Sequence, residues 1–142
     1  MNKNILFLFF LVCSVYSLGQ NSAYITFDSL TINYGKILQG DNGTVDFKFT
    51  NTGDRDLKIN KVRSSCGCTI PKKPDSLIAP GVSDLIKVNY DTERIGIINK
   101  TIIVNSNAAN ETVILKITGE VLDPESIKAV SYTHLRAHET RP

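Results

Sequence analysis

Tryptophan, histidine and methionine are almost missing from this chain of 142 residues. It has no tryptophan, its single methionine is Met1, and its two histidines are His134 and His138, close to the C-terminus. The lack of tryptophan disfavours a carbohydrate-binding platform of stacked indoles. The lack of histidine before residue 134 removes the usual base of a nucleophilic triad, and nothing marks a Ser-Lys variant. Cysteine is scarce too: Cys13, Cys66 and Cys68 are the three. Two thiolates in the body of the chain fall short of the four ligands that a closed zinc site takes. No basic stripe with interleaved aromatics is present, so nucleic acid is not an expected partner. After residue 12 no apolar run is long enough to cross a bilayer of ~30 Å as a helix.

The N-terminus reads as a secretory leader. Lys3 is followed by an unbroken apolar run from Ile5 to Val12, and Ser17-Leu18-Gly19 supplies small residues where signal peptidase cuts. Cleavage after Gly19 leaves Gln20 as the mature N-terminus. Two alternatives are an uncleaved anchor and a lipoprotein modified at Cys13. The lipoprotein needs a small residue before the cysteine, where this chain has Val12. At the other end, the run from Val130 to Thr140 looks like the in-frame translation of a transposase-derived sequencing adapter, a scar to be kept out of fold reasoning. Both histidines lie inside it.

The expected organisation is therefore a leader over residues 1–19, one domain over 20–129 and a non-native tail over 130–142. Setting aside Lys3, Arg136 and Arg141 from the 16 basic residues, and Glu139 from the 14 acidic ones, leaves thirteen of each. The domain is neutral and large enough for one modest core.

Within it, short runs of β-branched and aromatic residues are separated by turn residues. Tyr24 to Phe27 opens, and Leu30 to Tyr34 follows, ending at Gly35. Thr44 to Thr50 alternates strictly, with Val45, Phe47 and Phe49 on one face. Asn51-Thr52-Gly53-Asp54 reads as a turn in which Gly53 is free to take positive φ. Leu57 to Val62 alternates again, and Ile78-Ala79-Pro80-Gly81 ends a short strand in a Pro-Gly turn. Leu85 to Tyr90, Lys100 to Asn105 and Thr112 to Ile117 complete the set. About seven short strands predict an all-β fold, an antiparallel immunoglobulin-like β-sandwich. The expected core is Val45, Phe47, Phe49, Leu57, Ile59, Val88, Ile103, Val113, Leu115 and Ile117.

Several of these stretches carry a resemblance. Phe49-Thr50-Asn51-Thr52-Gly53, Ser65-Cys66-Gly67-Cys68-Thr69, Ile78-Ala79-Pro80-Gly81, Val88-Asn89-Tyr90-Asp91 with Gly96, and Ile117-Thr118-Gly119-Glu120-Val121 resemble domain of unknown function 1573. The likeness covers nearly all of Ile25 to Val121, and the Cys-Gly-Cys-Thr element is its specific part. It implies an exported bacterial protein with an immunoglobulin-like, major-sperm-protein-like sandwich. It implies no activity, cofactor or residue role.

The chemistry-bearing candidates are Cys66 and Cys68, with Gly67 and Thr69 in support. In an extended strand residues i and i+2 share a face. Their Cα atoms then sit near the ~6.8 Å upper limit for a disulfide, and a bend or positive φ at Gly67 brings the sulfurs closer. Three readings stand. The pair is a structural disulfide or two small buried thiols, as export and an even count suggest. It is a redox dithiol, with Arg63, Lys72 and Lys73 lowering a thiolate pKa. Or it holds a soft metal with ligands from elsewhere. Asp54-Arg55-Asp56 lacks the oxygen-rich loop of a calcium site, and Asp28-Ser29-Leu30 and Asp75-Ser76-Leu77 resemble bacterial O-glycosylation triplets. No cofactor is expected. The expected function is an exported, noncatalytic module that binds a protein or cell-envelope component; the alternative is a thiol relay through Cys66 and Cys68.

Overall fold

A computed structural model describes residues 21–125. The expected leader and adapter-derived tail lie outside the described residues. Eight strands occur in the order β1 (Ile25–Phe27), β2 (Thr31–Leu38), β3 (Thr44–Asn51), β4 (Ile59–Ser64), β5 (Thr69–Lys72), β6 (Ser83–Tyr90), β7 (Gly96–Ser106) and β8 (Thr112–Leu122). They form two four-stranded sheets, β1-β3-β6-β5 and β2-β8-β7-β4. The sandwich predicted from strand spacing is the fold observed.

The inner faces follow from alternation. Phe47 and Phe49 of β3 and Ile86 and Val88 of β6 pack in one cluster with Ile102 and Val104 of β7 and Leu115 and Ile117 of β8. Each is at most 1% exposed. Burying a side chain of this size stabilises the fold by about 1.5–3 kcal/mol. These eight residues are the centre of the core, and Leu57, Ile59, Ile98 and Val121 extend it.

Four expectations need correction. Ile103 is 39% exposed. Three consecutive apolar residues, Ile102-Ile103-Val104, hide the parity of β7; pairing reveals it, since Ile102 lies opposite Leu115 while Ile103 lies opposite the exposed Ile114. Thr69–Lys72 is a strand that apolar alternation did not mark, because Pro71 interrupts it. The strand expected before Pro80 is only a single bridge between Leu57 and Ile78, although the Pro80-Gly81 turn closes as expected, Val82 N–H donating to Ala79 C=O at 3.1 Å. Finally, β2 does not end at Gly35. A bulge between Asn33 and Lys36, with Gly35 at φ +67°, carries it on to Leu38 beside β8. That β2–β8 pair is parallel, whereas all the other pairs are antiparallel.

Asn51 ties three chain segments together at one end of the first sheet. It is fully buried, and its amide Nδ2 donates to Arg55 C=O at 2.7 Å and Ile78 C=O at 2.9 Å. Its Oδ1 accepts from Gly53 N–H at 3.1 Å and Tyr24 N–H at 3.4 Å. Every polar atom of the side chain is used, as burial requires. Gly53 does not take positive φ. Glycine is needed there for space, because a Cβ would sit 2.2 Å from Ser22 O and 2.4 Å from Tyr24 N.

Tyr34 reaches across the opposite end, its hydroxyl donating to Gly43 C=O at 2.6 Å. Burial first, and the neighbouring Tyr90 phenol second, push its pKa up to about 12. The neutral phenol is the form that the fold favours. Its contribution is therefore complete below pH 10, the unfolded value, and is lost as pH rises through about 12. Urea midpoints should fall across this window, and Tyr34→Phe should flatten the fall while lowering neutral-pH stability by about 1 kcal/mol. An unchanged alkaline limb in Tyr34→Phe would contradict the assignment.

Candidate functional site

The Cys66-Gly67-Cys68 segment connects β4 at the edge of one sheet to β5 at the edge of the other. It is the corner where the chain changes layers. Ser64 ends β4 with its hydroxyl turned into the corner, facing the carbonyls of Cys66 and Thr69, the latter at 2.8 Å. Ser65 is held to β7 by two bonds: its N–H donates to Thr101 C=O at 2.9 Å, and its Oγ accepts from Thr101 N–H at 3.2 Å. Cys68 C=O accepts from Asp91 N–H at 2.8 Å, anchoring the corner to the turn after β6. The backbone of the segment is thus pinned on both sides before any side-chain chemistry is considered.

Cys66 and Cys68 are joined as a disulfide with their Cα atoms 5.3 Å apart, inside the range that such bridges span. Cys68 is buried at 5% exposure, while Cys66 is half-buried against the core. Gly67 has no positive φ, and nothing lies within 4 Å of where its Cβ would stand. Of the two expected routes, positive φ at Gly67 is absent and a bend is present: residues 65–68 turn sharply, in a corner that Ser64, Ser65 and Asp91 hold.

Thr69 is buried, and its Oγ1 lies 3.6 Å from Cys66 Sγ and 3.9 Å from Cys68 Sγ. A disulfide has no proton to give, so this hydroxyl is the donor, and it is placed to hydrogen-bond whichever sulfur becomes a thiolate on reduction. The cations named from sequence are placed less well. Arg63 pairs in register with the outward Ile103, Lys72 is exposed on β5, and Lys73 is bound to Asp75 at 3.2 Å. Sequence reading gave Thr101 and Asp91 no part at the corner, yet their backbone bonds to Ser65 and Cys68 hold it. Only register could have revealed these partners. Among the described residues no group of three or more His, Cys, Asp or Glu side chains is placed to hold a metal ion.

A family model for proteins of unknown function, DUF1573, matches residues 25–121. The chain belongs to the DUF1573 family. That match spans every strand up to Val121 and includes the disulfide corner. No curated protein matches this DUF1573 chain. Solved structures share its fold. A Porphyromonas gingivalis protein of unknown function superposes with a TM-score of 0.63 at 19% identity, over 73% of this chain and 50% of the other. The chain thus spans about half the length of that protein. The seventh PapD-like domain of human CEP192 gives 0.61 at 11% identity, over 76% of this chain and 92% of that domain. WR4, a C. elegans member of the major sperm protein family, gives 0.52 at 15% identity, over 68% and 98%. At these identities the likeness is one of architecture.

The bridge closes a very small ring, so its effect on the unfolded chain is modest. Reducing it, or changing both cysteines in Cys66→Ser/Cys68→Ser, should lower stability by about 1–2 kcal/mol in urea titrations, with the sandwich still folded. Complete unfolding on reduction would contradict a corner already held by its backbone bonds.

Proposed function

We propose that this DUF1573 chain is an exported, noncatalytic module that binds another protein or a component of the cell envelope. The observation that carries the reading is an apolar pair on the solvent side of the second sheet. Ile103 and Ile114 stand opposite each other across β7 and β8, 39% and 59% exposed. Clustered exposed apolar side chains are what an interaction surface presents. Arg63 pairs in register with Ile103, and Lys116 follows Ile114 on the same face of β8. Export, by way of a leader ending at Gly19, belongs to the same proposal.

The second reading is a thiol relay. The half-buried position of Cys66 and the Thr69 hydroxyl beside both sulfurs favour it. The bridge would accept two electrons from a partner dithiol, which would leave as a disulfide.

One experiment separates the two. The chain is expressed in its host, cross-linked, and recovered from the envelope fraction together with what it binds. The module predicts a mature chain beginning at Gln20, and equal capture by wild type and by Cys66→Ser/Cys68→Ser. Loss of capture in the double variant, or a mixed disulfide trapped by Cys68→Ser alone, would favour the relay.

A further inference from the structure

The inference deepens the protein-binding reading and rests on it. β8 pairs with β7 from Thr112 to Val121, but β2 covers its other side only from Lys116 onward. Among the described residues Thr112–Leu115 therefore has a bare edge. Successive residues of a strand send their N–H and C=O groups to opposite sides. Glu111 C=O accepts from Ser106 N–H, towards β7, and Lys116 N–H donates to Leu30 C=O, towards β2. Counting between these bonds, Val113 and Leu115 turn to β7, while Thr112 and Ile114 turn their backbone groups to the uncovered side.

That edge is one wall of a groove of ≈ 570 Å³, whose lining includes Tyr24, Phe27, Leu30, Val113 and Ile114. Tyr24, Leu30 and Ile114 are 47%, 51% and 59% exposed. The facing wall is β1, and its backbone is already closed at Ile25. The Asn110 amide donates to Ile25 C=O at 2.8 Å and accepts from Ile25 N–H at 3.1 Å, as a neighbouring strand would. Among the described residues no such cap covers Ile114. The groove thus offers backbone pairing on the β8 side and apolar surface around it.

We propose that this groove receives a short extended segment of a partner protein, which adds as a strand beside Thr112–Leu115. Its backbone pairs with Ile114, and alternate apolar side chains lie against Phe27 and Leu30. The slot is bounded by Asn110 at one end and Leu30 at the other, so the paired stretch is about four residues.

The test selects a phage-displayed random dodecapeptide library on the full chain and measures the enriched peptides after synthesis. The selected peptides should be apolar at alternate positions, and binding should slow hydrogen exchange at the Ile114 amide at least tenfold. Ile114→Pro deletes the outward N–H without removing a bond to β7, so it should weaken binding at least tenfold while the sandwich stays folded. Leu30→Glu, an exposed change, should do the same. If Ile114→Pro fails to fold, Leu30→Glu and the Ile114 amide decide the matter. Unchanged binding in the folded variants, no enrichment above a Leu30→Glu bait, or slow Ile114 exchange in the peptide-free chain would overturn the proposal. In the last case, dilution tells a second copy from the chain's own tail. If groove variants leave host-partner capture intact, the groove fails and the module reading survives. If capture depends on a mixed disulfide, the module reading itself fails.

Discussion

Contact between the inner faces of the two sheets positions everything else in the molecule. Phe47, Phe49, Ile86 and Val88 on one side, with Ile102, Val104, Leu115 and Ile117 on the other, set the spacing of the layers and the register of β7 on β8. A one-residue slip in β7 would turn Ile103 inward and expel Ile102 and Val104. It would also displace Thr101 from Ser65 and so unseat the disulfide corner. The same register decides which backbone groups of β8 face the groove beside β1. Corner and groove are both consequences of one packing solution.

The corner shows how little covalent help that solution uses. Ser64, Ser65 and the Asp91 N–H hold the chain as it passes from one layer to the other. The disulfide is added to a path that hydrogen bonds already define. At the other end of the sandwich Asn51 has a comparable place, satisfying the turn before β4 and the chain entering β1 with one buried amide. The elements that change layers are held by polar groups, and the layers themselves by apolar ones.

Much of this was legible from residue order. Strict alternation in Thr44–Thr50 located β3 and its inward phenylalanines, and the Cys-Gly-Cys spacing located the one corner with sulfur chemistry. What failed to show has a physical reason in each case. In Ile102-Ile103-Val104 every residue is apolar, so only cross-strand pairing decides which side is buried. β5 pairs with β6 along one edge only and contains Pro71, so propensity argues against it. The positive φ expected at Gly53 was the wrong reason for a necessary glycine, because the chain that crowds it is distant in sequence. Thr101 beside Ser65, and the edge of β8 left bare among the described residues, depend on register and on where a neighbouring strand stops. Neither property is written in any local pattern.

The central claim is that the parity of β7 and β8 places Leu115 in the shared core and Ile103 on the surface. Urea unfolding of Leu115→Ala and Ile103→Ala, each compared with wild type, tests it directly. The account predicts a loss of about 2–5 kcal/mol for Leu115→Ala and under about 1 kcal/mol for Ile103→Ala. Equal losses, or a larger one at Ile103, would contradict it.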